Sequence, residues 1–506
     1  MFKSKLSQAL LLSASFLFQA QADITLPKIM DSQMVLQRNA KVPIWGWADQ
    51  GEKVTVSFAG QTKTAMPNEK GKWMVELEPL QASAQGRDLI IKGKNSVTLN
   101  DILVGEVWLA SGQSNMEWTF AQSNKQEFEY AKTFADNKNI RFFHVEHHLQ
   151  AGTPMDDTLG RWKLPAEFIK HSHMVSAVGF YFAAKLHNEL NVPIGILDAN
   201  WGGMRIDNFI SEEGYKSQNL PLRKHHQNND PNVRLNKLKR MRDSIDHAIT
   251  LAEKGITTSI LEDRVNGWAE NIIYNAMIAP LTPYAIKGAI WYQGESNRTD
   301  NKYFEKLKAL SYGWSKAFRV KDIPLYQVQI APFDYTRGQN PKDHTLGDNV
   351  WKAQYRGAKE ILGVGIIPIH DTNINIKDIH PQHKRPVGER LADLALNKNY
   401  GKSNNASAPE FASAKSANGK VIVSFKNLKN SLTSFDGKPL THFELSADGK
   451  NFVAAQAAIK GKTVEVTSAS LPTPKYVRMG WSDIAIPNLC EKDGWPVYAF
   501  PAQEVK

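Results

Sequence analysis

Five apolar runs in the middle of the chain do most to limit how it can fold. They occupy residues 107–115, 192–203, 286–297, 322–333 and 363–371, and most of them end in a cluster of glycine or polar residues. Longer helical or mixed segments separate them. Continuously apolar strands that alternate with helices predict a parallel sheet with helices on both faces. In such sheets, functional side chains gather at the carboxyl ends of the strands.

The segments on either side of this region have a different pattern. Both contain short stretches rich in β-branched and aromatic residues, separated by turn sequences. A chain of 506 residues is expected to form several domains. We predict an N-terminal β-sandwich at 23–104, an α/β domain at 105–401 and a C-terminal β-rich domain at 402–506, entered through a linker at 402–418. Apolar spacing at 231–255 predicts a helix that covers the sheet or forms a lid.

The N-terminus has the pattern of a signal peptide. Lys3 and Lys5 precede a short apolar stretch, and Ala20-Gln21-Ala22 is a small-residue cleavage site. We predict that residues 1–22 are removed and that the protein is exported, to the periplasm or beyond, without stable membrane insertion. The alternative is an uncleaved anchor. Cys490 is the single cysteine, so no intrachain disulfide can form.

Charge and motif content exclude several function classes. The net charge is +11, but no dense Lys/Arg block with interleaved aromatic residues occurs, so nucleic acid is not an expected partner. Attraction to an acidic glycan stays open. The sequence contains no His-Glu-x-x-His pattern and no cysteine pair, and no phosphate-binding glycine pattern follows a strand. We therefore expect neither a metal nor a cofactor.

Ser114 is the candidate nucleophile, because it stands in GQSNM directly after the first apolar run. At such a strand end its hydroxyl is exposed, and its backbone N–H, at a helix N-terminus, can face a developing oxyanion. A hydroxyl needs a neighbouring base before it becomes a good nucleophile. The alternative interpretation is that Ser114 caps the helix.

His380 is the candidate base, since it follows the last strand in the order expected for a Ser…Asp…His site. Asp378 is the candidate that orients the imidazole by a hydrogen bond to its other ring nitrogen. His383 competes with His380 by proximity. His370 and Asp371, at the end of the fifth run, form another candidate pair.

Two further clusters end strands of the predicted sheet. In NWGG, Gly202 and Gly203 allow the backbone to approach a ligand closely, and one of their N–H groups is a candidate oxyanion donor. In WYQGESN, the polar residues are Gln293, Glu295 and Asn297, and the amide of Gln293 suits oxyanion donation. The alternative for both clusters is an ordinary tight turn.

Taken together, these clusters resemble the SGNH/GDSL hydrolase superfamily and, in detail, the sialate O-acetylesterase family. The matching segments are SGQSNMEW, NWGGMRI, GAIWYQGESN and DIHPQHKRPVGERLA, with further similarity in both flanking regions. The resemblance implies an SGNH-like α/β core. It also implies that Ser114 is the nucleophile, that His380 is the base, and that the backbone of Ser114 with Gly202 or Gly203 forms the oxyanion hole, assisted by Gln293.

The SGNH/GDSL superfamily usually has its acid three residues before the histidine, and that position is Lys377 here. The acid is therefore Asp378 in a tighter turn, or Asp371, or it is absent and the site is a Ser–His dyad. The implied reaction is hydrolysis of an acetyl ester on a sugar, foremost on sialic acid. The implied substrate contacts are Asn115, Arg205, Glu295 and Asn297.

Arg205 is a candidate for a sialic acid carboxylate, and its alternative is an ion pair with Asp207. Two other functions stay open: an acetylesterase of another glycan such as xylan, and a non-catalytic glycan-binding protein. The oligomeric state is not predicted.

Overall fold

The structure, a computed structural model, describes most of the chain. The described residues are 24–147, 152–222, 270–336, 348–373, 375–402, 407–492 and 494–506. The predicted signal peptide at 1–22 and the predicted helix at 231–255 lie outside these ranges. Within them, no helix is long and apolar enough to cross a bilayer.

The N-terminal region consists of short strands, as its β-branched and aromatic pattern predicts. Their bounds are β1 Val35–Gln37, β2 Val42–Trp47, β3 Val54–Phe58, β4 Gln61–Ala65, β5 Lys72–Leu77, β6 Ser83–Lys92 and β7 Ser96–Gly112. β2 pairs with β5, whereas β3, β4 and β6 form an antiparallel group that joins β7. In β3 buried and half-buried residues alternate, because one face of the strand packs on the core.

β7 links this region to the α/β core. Its first half pairs with β6 and β1, and its second half pairs in parallel with two strands of the central sheet. The predicted domain boundary at 104/105 therefore falls inside one continuous strand. The remaining strands of the core are β8 Ile140–Val145, β9 Gly160–Lys163, β10 Ile194–Asn200, β11 Gly288–Tyr292, β12 Leu325–Val328 and β13 Val364–Ile367.

The central sheet has the order β13-β12-β11-β7-β10-β8-β9, and all of its pairings are parallel except that of β9 with β8. Side chains that alternate along β7 enter two different cores. Leu109 belongs to one, with Trp291 and Trp314, and Trp108 belongs to the other, with Ile290. The sheet is thus covered on both faces, which confirms the predicted α/β fold class.

Helices provide both covering layers. Their bounds are α1 Ser114–Glu117, α2 Lys125–Lys132, α3 Pro165–Lys170, α4 Ala177–Leu190, α5 Glu212–Ser217, α6 Tyr303–Ala317, α7 Asp348–Glu360 and α8 Arg385–Tyr400. Shorter 3₁₀ or π turns occupy Phe120–Gln122, Ile206–Phe209, Tyr274–Ile278, Ala279–Leu281, Glu295–Asn297 and His370–Thr372. α4 and α8 contribute to the Trp108 core, and α6 contributes to the Trp291 core. α8 is followed by Gly401, whose left-handed φ of 65° stops the helix.

The C-terminal region is β-rich, as predicted. Its strands are β14 Glu410–Ala417, β15 Lys420–Lys426, β16 Leu432–Ser434, β17 Phe443–Ser446, β18 Phe452–Ala454, β19 Gln456–Lys460, β20 Thr463–Thr467, β21 Tyr476–Met479, β22 Leu489–Glu491 and β23 Phe500–Glu504. One prediction here is wrong. Much of the proposed linker at 402–418 is strand β14, which pairs with β15 and places Ala414 in the core.

Candidate active site

The turn after β7 presents Ser114 at the carboxyl edge of the sheet. Gly112 has φ 143°, and a Cβ atom there would lie 2.2 Å from the carbonyl oxygen of Tyr292, so only glycine fits. Gln113, not Ser114, occupies the N-cap position of α1, and it makes no side-chain cap. In the register of the sheet, Gly112 pairs with Asn200 of β10 on one side and with Tyr292 of β11 on the other. The GQSN, NWGG and QGESN clusters therefore begin side by side.

The Ser114 hydroxyl faces His380 across this edge. Its Oγ atom lies 2.8 Å from the Nε2 atom of His380. The imidazole stacks on Trp118, with ring centroids 4.6 Å apart. Burial, and then the positive charge of Lys384, lower the pKa of His380 below its ordinary value. A neutral imidazole at pH 7 is the form that can accept the serine proton.

Asp378 does not make the hydrogen bond expected of it. Its Oδ1 atom is 4.0 Å from the Nδ1 atom of His380, which is beyond hydrogen-bond distance. The same oxygen accepts the backbone N–H of His380 at 2.9 Å. The reason is local: a carboxylate two residues before an amide closes a tight turn on the backbone. The role of Asp378 as the catalytic acid stays a prediction.

The competing candidates, Asp371, His383 and His370, make no hydrogen bond to Ser114 or His380 among the described residues. Asp371 binds Arg390 through both carboxylate oxygens, at 2.7 and 2.5 Å. His383 lies 2.9 Å from the Oε1 atom of Glu127. His370 is buried, which lowers its pKa to about 4, and neither of its ring nitrogens has a hydrogen-bond partner among the described residues. His380 alone of these histidines reaches Ser114.

The two glycines of NWGG differ in their surroundings. A Cβ atom on Gly202 would lie 3.5 Å from the Cβ atom of Ser114 and 2.6 Å from the Oε2 atom of Glu117. Gly202 therefore stands beside Ser114, the predicted nucleophile, and its backbone N–H is hydrogen-bonded to the Glu117 carboxylate. Gly203 has φ 74° and open space around it, and its carbonyl accepts the Ser296 hydroxyl.

Gln293 has a different position from the one predicted. Its amide nitrogen donates to three internal acceptors, Gln113 Oε1, Met204 O and Asn297 Oδ1, at 2.8 to 3.3 Å. Its Oε1 atom accepts the Tyr303 hydroxyl. No N–H is left for a substrate oxygen in this arrangement. Gln293 supports the turn between the strand ends rather than the oxyanion directly.

The predicted substrate contacts are likewise internal supports. Asn115 and Glu295 are buried and bonded to each other, Asn115 Nδ2 donating to Glu295 Oε1 at 2.6 Å. Asn297 is buried and donates to both Asp207 and Asp300. None of the three presents its side chain to solvent, because each holds one loop against another.

Arg205 shows the ion pair that was its alternative interpretation. Its guanidinium binds Asp207 at 3.2 Å and Asp300 at 3.1 Å, with the side chain 44% exposed.

Comparisons with known proteins identify the family of this chain. A family model described as carbohydrate esterase, sialic acid-specific acetylesterase matches residues 239–397. The sialate O-acetylesterase of Rattus norvegicus is 31% identical over 416 residues, covering 74% of this chain and 73% of that protein. The chain belongs to the sialate O-acetylesterase family. The human sialate O-acetylesterase is 29% identical over 408 residues, covering 74% of this chain and 71% of that protein.

A solved structure extends the likeness to nearly the whole chain. A carbohydrate acetylesterase from Xanthomonas citri has a TM-score of 0.77 and 31% identity, covering 94% of this chain and 99% of its own. The sialate O-acetylesterase family membership confirms the resemblance seen in the sequence, and it places the protein among the carboxylic ester hydrolases.

In this family member, two residues beside Ser114 and His380 escaped prediction. Glu117 lies 3.5 Å from His147, and the Gly202 amide stabilises its charged form, although burial raises its pKa overall. Lys384 is fully buried four residues after His380. Both stand inside motifs that the sequence analysis had singled out, GQSNME and HPQHK. Their short spacing from Ser114 and His380 was the available signal.

Proposed function

We propose that the protein is a serine esterase that hydrolyses O-acetyl esters on sugars, with Ser114 as the nucleophile and His380 as the general base. One observation carries the proposal: the 2.8 Å contact between Ser114 Oγ and His380 Nε2, at the carboxyl edge of the sheet. Family membership supplies the substrate class.

The chemistry follows from this contact. His380 Nε2 takes the hydroxyl proton as Ser114 Oγ attacks the acetyl carbonyl carbon. The negative charge that develops on the carbonyl oxygen is stabilised by the backbone N–H group of Ser114, with Gly202 or Gly203 as the second donor. The intermediate collapses to an acetyl-enzyme, and the sugar oxygen leaves with the proton from His380. Water, deprotonated by His380, then releases acetate and restores Ser114.

The neutral state of His380 suits this cycle. A lowered pKa leaves the imidazole free of its proton at neutral pH. Activity that requires the neutral base should therefore persist below pH 6.5, the ordinary pKa of histidine.

The acetylated sugar is foremost a sialic acid, as the names of the curated relatives suggest. A second candidate is an acetylated neutral glycan such as xylan. The observation that favours the second candidate is the pairing of Arg205 with two aspartates, which neutralises the cation proposed for a sialic acid carboxylate.

A non-catalytic glycan-binding role has less support. A binding protein has no need of a hydroxyl and an imidazole within hydrogen-bond distance at a strand end, whereas an esterase requires that contact.

We also propose export, to the periplasm or outside the cell, after removal of residues 1–22. The support is the charged start, apolar stretch and small-residue site of the first 22 residues.

Proteolysis and domain expression would test the domain limits proposed at 104/105 and 401/402. The first limit cuts β7, and a boundary placed before Ser96 would keep β7 whole in the α/β fragment but remove it from the sheet of the N-terminal fragment.

One experiment separates the functions. Acetate release is measured from p-nitrophenyl acetate, from O-acetylated sialic acid and from acetylated xylan. Release from any of them by the wild type, together with its loss in Ser114→Ala, supports the esterase. Selectivity between the two sugars identifies the substrate. Absence of release from all three would reject the enzyme in favour of a binding protein.

A further inference from the structure

Lys384 is a buried cation next to the catalytic pair. Its side chain has no exposed surface, and its Nζ atom donates to Asn115 Oδ1 at 2.7 Å. The rings of Trp118 and Tyr292 flank the ammonium group, with centroids at 5.1 and 5.5 Å. No carboxylate lies within ion-pair distance of it in the described ranges. A buried cation with no ion-pair partner is costly, so its presence calls for a role.

The Asn115 amide connects the two catalytic loops. Asn115 follows Ser114, and its Nδ2 atom donates to the carbonyl of Ile379, the residue before His380, at 3.0 Å. The same nitrogen donates to Glu295. An ammonium group can only donate hydrogen bonds, so Lys384 requires the oxygen of the amide to face it. The Nδ2 atom is then the one that faces Ile379.

The loop that carries His380, residues 375–385, is also anchored on both sides of the histidine. Before it, Asp334 donates its backbone N–H to the Ile376 carbonyl at 2.8 Å, and Asn373 Nδ2 donates to the Asp378 carbonyl at 3.2 Å. Asn124 donates its backbone N–H to the Gln382 carbonyl at 2.9 Å. Glu127 accepts the backbone N–H groups of Lys384 and Arg385, each at 2.9 Å. The contacts of Asn124 and Glu127 hold the later part of the loop, whereas Asn115 holds it directly beside His380.

We propose that Lys384 is a positioning residue of the esterase: its ammonium group fixes the Asn115 amide, which keeps His380 at bonding distance from Ser114. The inference rests on the proposed function and adds a residue to it. It also has an electrostatic consequence that a purely structural lysine would lack.

The charges around the two side chains define that consequence. His380 is faced by Lys384, which lowers its pKa, and by Asp378, which raises it. Lys384 is faced by Glu295, Asp378 and Glu127, and burial lowers its own pKa to about 7. Removal of the Lys384 charge should therefore raise the pKa of His380. Because catalysis needs neutral His380, the acidic limb of kcat/KM should move to higher pH.

Two variants separate position from charge. Lys384→Met removes both the donor and the charge and keeps a buried chain of similar length. Lys384→Gln keeps a donor for Asn115 and removes the charge. With p-nitrophenyl acetate between pH 5 and 9, we expect Lys384→Met to lose roughly 10- to 100-fold in kcat at pH 7, where the ammonium form of Lys384 is still populated. In both variants the acidic limb should move up by roughly half to one pH unit. Lys384→Gln should recover part of kcat.

Lys185→Met is the matched control. Lys185 joins α4 to α8 through Asp393 at 2.9 Å and does not contact the site, so neither kcat nor the limb should change. A double variant with Asn115→Ala adds a second check. If the two residues act as one unit, Asn115→Ala combined with Lys384→Met should cost little more than either change alone.

A folded Lys384→Met protein with an unmoved limb and kcat within threefold of the wild type would overturn the inference. So would failure of both variants to fold, since Lys384 would then be only structural. Both outcomes differ from failure of the proposed function, which shows as full activity in Ser114→Ala. The pH dependence of inactivation by a serine-directed fluorophosphonate reports the same pKa of His380 without any sugar substrate.

Discussion

The two groups of residues that meet at Ser114 are built in opposite ways. On one side, the His380 loop contains a buried cation whose hydrogen-bond partner is a neutral amide. On the other, the strand ends at NWGG and QGESN are joined by a charged network. This network, called here the Asp207 network, consists of Arg205, Asp207, Asn297, Asp300 and Lys306.

The difference lies in charge balance. In the Asp207 network two cations face two carboxylates, so its formal charges cancel. No carboxylate of the described residues lies within ion-pair distance of Lys384, and its charge acts on His380. A balanced buried network suits a scaffold, whereas an unbalanced one suits the control of a proton. The predictions below test this contrast.

The largest expected effect is at Ser114, where the His380 loop meets the strand ends that the Asp207 network joins. Ser114→Ala should lower kcat by a factor on the order of 10⁴ or more with folding intact, because no acetyl-enzyme can form. Turnover of acetylated sugar by purified protein is the measurement. Ser111→Ala, three residues earlier in β7, removes a buried hydroxyl with no hydrogen-bond partner among the described residues and should be nearly silent. Similar turnover in the two variants would remove Ser114 from the mechanism.

The Asp207 network should matter chiefly for stability. Lys306 is 13% exposed and binds Asp207 and Asp300, so Lys306→Met leaves two carboxylates with a single remaining cation. We expect a loss on the order of 3 kcal/mol in the stability of the α/β region, measured by urea unfolding. The acidic limb of kcat/KM should stay in place.

Lys308→Met, two residues later on α6, changes an exposed lysine and should leave stability unaltered. A shift of the acidic limb of kcat/KM in Lys306→Met would contradict this prediction, since it would show that the Asp207 network also affects the pKa of His380.

A smaller effect is expected at Asp378. Its carboxylate binds a backbone N–H and is 4.0 Å from the ring nitrogen, so Asp378→Asn should cost tenfold or less in kcat. The same assay of His380→Ala and Asp371→Asn gives reference values of kcat for loss of the predicted base and for change of the other candidate acid. A loss near 10⁴ would show that the carboxylate moves onto the imidazole when substrate binds.

The parts of the fold and site that could be predicted share one physical basis. Parallel strands bring their carboxyl ends to one edge whatever side chains follow, so Ser114 and His380 could be paired from apolar runs and the polar clusters after them. The Asp378 and Lys384 contacts depend on the exact path of one loop and on partners up to 269 residues away. Sequence periodicity contains no such information.

Two differences between prediction and structure outside the site have similar causes. The boundary predicted at 104/105 overlooked that one long strand can serve two sheets, as β7 does. The Ala- and Ser-rich composition of 402–418 suggested a linker, yet small residues also suit a strand such as β14, in which Ala414 packs into the core.

The smallest expected effect is at Arg205, and it tests whether the Asp207 network contributes to substrate binding. Its Nε and Nη2 atoms are bound to Asp207 and Asp300, so we expect Arg205→Ala to raise KM for O-acetylated sialic acid by no more than about threefold. KM for acetylated xylan should change equally little. The measurement is a pair of KM values for the wild type and the variant.

If Arg205 instead turns from the aspartates to bind the carboxylate of sialic acid, a charged hydrogen bond is lost on substitution. KM for the sialic acid should then rise at least tenfold, while KM for neutral xylan stays unchanged. Such selectivity would mean that Arg205 leaves the Asp207 network when the sialic acid binds. The charges of the network would then cancel only in the absence of an anionic sugar.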